Sequence, residues 1–405
     1  MNHRHLPITA TGRRALALAA AVAALFAPSL QAQTRAQAPS PAGTNAGAGL
    51  SWDWSARAQI DHGSFDGVYS RDGSRRSATY LRRGDVSGQL RWGRQWRAGA
   101  TLQADSDGKV ELDLLSVAFV PYDGLRIAAG RIDPDFGHDN AMSSSWSHGI
   151  ERSAIWDLTS EVHDSNGGAG LRADAHGKGW HASAGLYDLR EREAFVGRGV
   201  WLPSTKTGRV LQLGASLASS SGADDDGRIR SRLGVRGVSE DSLGRRSTLA
   251  EAVALPQGYE GDRQFGVEAA WQQGPLLLLA EGLSRTLDAR AGAPSRSASG
   301  LTATVAWSPT GQARRHSEES ARFGRPERAG TPWGAWEVFY RFDSLAAKDG
   351  LDGTRKATVH TLGASWFADE HWRVMANLHR ATSDDPNPAG QRDGAGWALR
   401  LQGTF

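Results

Sequence analysis

The chain has 405 residues, 39% of them hydrophobic and 22% charged, with 49 Gly, 15 Trp and no Cys. The missing cysteine excludes disulfides, thiolate metal sites, Fe–S clusters and Cys nucleophiles together. The formal charge of +3 rests on Arg4, Arg13 and Arg14. Without them 44 bases face 44 acids, so the global balance names no partner and nucleic acid is not expected as one.

The N-terminus reads as an address. Arg13-Arg14 precede an uncharged apolar run, Ala15 to Ala27, then Pro28, Ser29 and Leu30-Gln31-Ala32. This order predicts a secretory signal peptide over residues 1–32, cut after Ala32. The run is shorter than the roughly 20 residues a membrane-spanning helix needs. Residues 33–49 (QTRAQAPSPAGTNAGAG) have no periodicity and read as a flexible leader. Beyond them the longest apolar run is Pro275 to Ala280, too short to span a bilayer.

Residues 50–405 are expected to form one all-β domain, because alternation with period two recurs along them. In Tyr80 to Trp92 one face carries Tyr80, Val86, Leu90 and Trp92, and the other Arg83, Asp85, Ser87, Gln89 and Arg91. Phe265, Val267 and Trp271 alternate with Glu268 and Gln272; Leu301, Val305 and Trp307 with Thr302, Thr304 and Ser308. Trp336, Val338, Tyr340 and Phe342 oppose Glu337, Arg341 and Asp343, and Trp397, Leu399 and Leu401 oppose Arg400 and Gln402. Successive side chains of a strand point to opposite faces. A soluble sandwich alternates too, but apolar faces ending in Trp, Tyr or Phe suit aromatic girdles at two bilayer interfaces. In lipid the sheet has to close, since no water satisfies an open edge. A transmembrane antiparallel β-barrel follows, and about 22 residues per strand and connection favours sixteen strands, with eighteen also fitting.

Asp105-Ser-Asp-Gly108 and Asp352-Gly353 read as tight turns. Ser219 to Gly227, Ala289 to Gly300, Gly311 to Gly330 and Ser383 to Gly396 read as long polar loops. Short turns with long loops fit a barrel whose turns are periplasmic and whose loops are extracellular. Asp133-Pro-Asp-Phe-Gly137 with His138 and Asp139 has turn-formers and no standard metal-ligand spacing. Asp224-Asp225-Asp226 reads as a solvated loop run, and Gly197-Arg-Gly199 lacks the rest of a dinucleotide fingerprint. No cofactor or metal is expected.

Three ordered segments resemble the phosphate-selective porin O/P family of Gram-negative outer membranes. They are Leu125 to Leu158, Gly334 to Phe342 and Thr361 to Arg380, joined by the strand Tyr80 to Arg91. The resemblance implies a sixteen-stranded homotrimeric porin whose third loop folds inward as a constriction. It also implies lumen arginines and a Lys-rich anion site beside a Ser pair. Here the chain departs: it reads Ser143-Ser144-Ser145-Trp146, with no Lys between 110 and 177. The terminal Phe405 is similar to the signal read by the barrel assembly machinery. Implied partners are small inorganic anions of the phosphate class, outer-membrane lipids and lipopolysaccharide.

On that reading Ser143, Ser144, Ser145, His148 and Arg152 lie on the inward loop, where hydroxyls and guanidinium can donate to a tetrahedral oxyanion. Glu151 and Arg152 could equally pin the loop to the wall. Arg83, Arg91, Arg126, Arg131 and Arg341 are candidates for the pore lining, where rows of arginine favour anion entry. Arginine beside acids can also form neutral networks. The expected function is passive diffusion of small anions of the phosphate or polyphosphate type. A weakly selective general porin is the alternative; an outer-membrane enzyme or an adhesin barrel fits less well, since no ordered triad or nucleophile elbow is visible.

Overall fold

The computed structural model describes residues 49–104, 109–159, 169–189, 192–223, 228–236, 247–251, 258–290, 293–327, 332–348 and 353–405. The signal and leader segments up to residue 48, the turn at Asp105 to Gly108, Asp224 to Asp226, and Asp352 lie outside these described residues.

Strands β1 (Leu50–Phe65), β2 (Arg76–Trp92), β3 (Trp96–Ala104), β4 (Val110–Tyr122), β5 (Leu125–Arg131) and β6 (Gly170–Gly177) form one side of a barrel. They are followed by β7 (Trp180–Asp188), β8 (Glu193–Lys206), β9 (Arg209–Ala223), β12 (Tyr259–Gln273), β13 (Leu276–Ala289) and β14 (Arg296–Trp307). The circuit ends with β17 (Ala335–Lys348), β18 (Thr354–Phe367), β19 (Trp372–Ser383) and β20 (Asp393–Thr404). These sixteen strands pair antiparallel with their neighbours, and β1 pairs with both β2 and β20. Closure leaves no unpaired edge. Two hairpins stand apart from the wall: β10 (Arg228–Ser231) with β11 (Ser247–Glu251), and β15 (Arg314–Ser317) with β16 (Arg322–Pro326).

The exposed and buried faces decide between barrel and sandwich. Val86, Leu90, Phe265, Val267, Leu301, Val305, Leu399 and Leu401 are exposed, while Glu268, Gln272, Thr302, Thr304, Arg400 and Gln402 are buried. Apolar outside and polar inside is the arrangement of a barrel in lipid.

Tryptophan is concentrated at one of the two interfaces. Trp92, Trp96, Trp180, Trp201, Trp271, Trp307, Trp336 and Trp372 all lie exposed at the barrel end where β1 begins and β20 finishes. Trp397 is the wall tryptophan of the opposite end. Alternation shows that an aromatic faces lipid, but strand direction decides which interface it meets. Trp92 ends a strand and Trp96 starts the next, so both reach the same one.

One bulge overturns a detail of the alternation. Gln59 pairs with Arg83 and Ile60 with Leu81, so Arg82 is an extra residue in β2. An extra residue exchanges the two faces of the strand beyond it. Arg82 and Arg83 therefore both reach the lumen. Tyr80 turns inward as well, away from Val86, Leu90 and Trp92, and its hydroxyl donates to the Arg236 carbonyl at 3.3 Å.

Among the described residues three longer segments occupy the interior. Residues 132–159 enter between β5 and β6 and carry the short helix α1 (His138–Ala141). The β10–β11 hairpin packs onto them: Ser231 Oγ donates to the Ala154 carbonyl at 3.0 Å. The third is the β15–β16 hairpin, inside the stretch 311–330 read from sequence as an outer loop. It enters from the opposite, short-turn end. Gln272 and Arg314 exchange hydrogen bonds of 2.9 and 3.0 Å, and Phe323 packs with Met142, Leu277 and Phe339. The other loops are shorter than expected, since Ser219 to Ala223 continue β9 and strands already begin at Arg296 and Asp393.

These segments cover the lumen face of the later strands, burying Gln212, Ser216, Gln264, Glu337, Thr361 and Asn377. On the wall of β1 to β6, Ser87, Gln89, Arg91, Arg97, Thr101, Gln103, Ser116 and Arg126 stay accessible. Among the described residues the accessible part of the lumen thus lies along β1–β6, and the later strands face a packed protein core. Among the described residues no helix is long and apolar enough to cross a membrane; the crossing elements here are strands.

Candidate functional site

Just before the inward loop leaves β5, Gly130 has a φ of +128°, open to glycine, and any Cβ there would lie 2.2 Å from the Leu115 carbonyl oxygen. The loop's first turn is anchored by Asp135, which accepts from Ser183 Oγ at 2.9 Å and lies 3.2 Å from His181 Nε2 and 3.4 Å from Arg198. Burial alone would raise the Asp135 carboxyl. The Arg198 guanidinium and the His181 hydrogen bond hold it well below the usual range instead. Asp135, Asp174 and His181 bring ligand atoms within 4.8 Å of one another. Yet Arg198 and Arg322 face Asp135, while Arg126 and Arg172 face Asp174. Guanidinium groups already neutralise this donor set, which is that of an ion-pair network rather than a metal centre.

At the loop's serine run, Arg57 of β1 and Arg83 of β2 meet the hydroxyls. Arg57 Nη1 donates to Ser144 Oγ and Ser145 Oγ, both at 2.8 Å, and Arg83 Nη1 donates to Ser144 Oγ at 2.7 Å. Ser144 Oγ accepts twice, so its own hydrogen is left to donate elsewhere. Ser143 is exposed beside it. Two guanidinium groups and the hydroxyls of Ser144 and Ser145 converge here, a donor set suited to an oxyanion.

Arginines of the wall and of the β15–β16 hairpin hold this loop by its carbonyl groups. Arg373 donates to the Ser145 and Ser147 carbonyls at 2.9 and 2.7 Å, Arg314 to Trp146 at 2.5 Å, and Arg341 to Glu151 and Arg152 at 3.1 Å each. Glu151 accepts from Arg82 at 2.7 and 3.1 Å and from Arg400 at 3.2 Å. Arg152 instead stays within the loop, donating to the Asp139 carbonyl and lying 5.4 Å over the Trp156 ring. His148 is buried 3.9 Å from Glu337, and burial together with Arg314 pushes its pKa well below the ordinary value. It is therefore a neutral packing residue.

Of the residues singled out from sequence, the fold brings Arg83, Ser143, Ser144 and Ser145 together. Arg131 closes β5 at the loop's start. Arg91 lies at the short-turn mouth, 3.3 Å from Asp53, and Arg126 lies on the passage wall, 3.0 Å from Asp174. Arg152, Arg341 and His148 are in the loop's packing. Sequence reading missed Arg57, although it alternates with Asp53, Gln59 and Asp61. It missed Arg82, hidden by the bulge, and the alternating Arg228-Ile-Arg230-Ser-Arg232, whose first four residues form β10 in the interior.

A closed sixteen-stranded barrel, apolar outside and polar inside, with its passage narrowed by an inward loop, is the architecture of an outer-membrane porin. The family model "Phosphate-selective porin O and P" matches residues 54–405, and the chain belongs to that family. Porin O of Pseudomonas aeruginosa is 31% identical over 381 residues, covering 86% of this chain and 87% of that protein. Among solved structures, the trimer form of Vibrio cholerae OmpT aligns with a TM-score of 0.58 at 7% identity, over 88% of this chain and 99% of that one. The anion-selective porin from Comamonas acidovorans gives 0.54 at 12% identity, over 88% and 100%. At such identities these two are likenesses of fold.

Proposed function

We propose that this porin passes small anions, phosphate among them, by passive diffusion along the β1–β6 wall, with a weak phosphate station at the serine run. The observation that carries this is Ser144, whose hydroxyl oxygen accepts from Arg57 and Arg83 and whose hydrogen is left for a solute. Arginine supplies fixed positive charge that raises the local anion concentration. The compact charge of a lysine is missing from residues 110–177, which keeps the station weak. Planar-bilayer recordings in chloride, followed by phosphate titration, test the reading. Anion selectivity with block only at millimolar phosphate is expected; cation selectivity, or block at micromolar phosphate, contradicts it.

A weakly selective general porin is the second reading, favoured by the pairing of Arg57 with Asp85, Arg91 with Asp53 and Arg126 with Asp174. A reversal potential near zero in a salt gradient would support it. We further propose that the protein is a channel without enzymatic activity, assembles as a homotrimer, contacts lipopolysaccharide and is inserted by the barrel assembly machinery through Phe405. Residues 1–32 act as a cleaved signal, 33–49 as a leader and 50–405 as the porin domain. Sequencing the N-terminus of the outer-membrane form checks the cut after Ala32.

A further inference from the structure

Asp85 stands directly across from Arg57 in the β1–β2 register. Arg57 Nε donates to Asp85 Oδ2 at 2.5 Å, and a second nitrogen of the same guanidinium, Nη2, also contacts that oxygen. The third nitrogen, Nη1, reaches Ser144 and Ser145. Arg57 therefore bridges a carboxylate on the wall and the hydroxyls of the constriction. Asp85 is 6% exposed, and among the described residues its Oδ1 has no hydrogen-bond partner.

A carboxylate oxygen and a phosphate oxygen are equivalent acceptors for a guanidinium edge. The edge of Arg57 that would grip a solute oxyanion already holds one built into the wall. Arg83, the other guanidinium on Ser144, is two residues from Asp85 along β2. An anion at the serine run has to displace Asp85 or bind beside its charge. Either course weakens binding and hastens release, and conduction needs sites weak enough to leave.

We propose that Asp85 is a specificity-determining residue, a tethered counter-ion that occupies Arg57 and keeps the station from trapping phosphate. This rests on the anion-path reading above. It gives the weak station a cause of its own, independent of the absent lysine.

The experiment uses the full protein in planar bilayers, with chloride current titrated by inorganic phosphate. Asp85→Asn keeps the side chain's size and removes its charge. It is expected to tighten phosphate block by about tenfold or more, given the strength of one unit charge at contact distance, and to shift the reversal potential toward anions. Asp85→Glu restores block to the wild-type range. Asp85→Ser is the second variant if the asparagine form does not assemble. Asp53→Asn removes an equal charge four residues from Arg57 along β1, roughly 13 Å away. It is expected to move the reversal potential and leave the block unchanged. Equal tightening by Asp53→Asn would assign the effect to net lumen charge and overturn the role of Asp85. So would an unchanged block in Asp85→Asn in a channel where Arg83→Gln weakens it. A cation-selective wild type would remove the anion-path reading itself, and this inference with it.

Discussion

Arg82 and Glu151 join the barrel wall to the constriction loop through two hydrogen bonds, Nε to Oε1 at 2.7 Å and Nη2 to Oε2 at 3.1 Å. Arg82 is the extra residue of the β1–β2 bulge. A local irregularity in one strand thus supplies the wall's fork-shaped hold on the loop. Arg400, itself paired with Asp61 at 2.7 Å, adds a second contact to the same carboxylate.

Glu151→Gln should loosen the loop without unfolding the barrel. Removing one partner of a buried pair costs about 3–5 kcal/mol. Here about 2–3 kcal/mol is expected, because 20% of the Glu151 side chain is exposed. The heat-modification temperature on native gels should fall and open-channel current noise should rise. A variant with wild-type values in both would show that the loop is held by its carbonyl contacts alone.

Acid should weaken the loop in two steps. His148 and His138 are held below the ordinary imidazole value of 6.5 by burial first, and His316 is pushed down to about 4 for the same reason. The unfolded histidines take up protons at a higher pH than the folded ones, so stability falls as pH drops below about 6.5. The sign is the same for Glu151. Burial would raise its carboxyl, but Arg82 and Arg400 hold it well below 4.5, so its contribution is complete above that pH and is lost below it. Heat-modification temperatures should decline as pH falls from about 6.5 to 4. A profile level down to pH 4 would remove the histidines from the account.

Arg83→Gln should move the reversal potential toward cations more than Arg91→Gln. Arg83 sits at the constriction on Ser144, whereas Arg91 is half exposed at the mouth and paired with Asp53. Fixed charge acts most strongly where the passage is narrow and water is scarce. A severalfold loss of anion preference is expected for Arg83→Gln, and the opposite order of effects would move the selective region to the mouth.

Deleting Phe405 should lower the amount of protein in the outer membrane while leaving single-channel conductance unchanged. Phe405 exchanges two 2.8 Å backbone hydrogen bonds with Ala56, stacks on His371 at 5.6 Å and meets Trp372 edge-on at 5.7 Å. It lies at the β20–β1 seam, its ring exposed on the lipid side beside Trp372, on the opposite face of the strand from Arg57 and the serine run. Normal outer-membrane levels of the deletion variant would show that neither the seam nor its recognition needs this ring.

The sequence by itself determined that the chain crosses the membrane as strands. Alternation such as Phe265 to Gln272 fixes one apolar and one polar face, and lipid then requires closure. It also carried the family likeness and the serine run, which are local in the chain. The site was only half legible. Arg57 and Ser144 are 87 residues apart, and no periodicity relates them. Strict alternation from Val86 would put Arg82 on the lipid side, and the bulge turns it to the lumen. The stretch 311–330 looked like any polar loop, yet Arg314 found Glu337 at 2.6 Å inside the barrel. Which half of the lumen stays open, and which arginines meet solute rather than hold the loop, was decided by tertiary structure, because a strand's pattern tells a side chain inside from outside but not what else fills the inside.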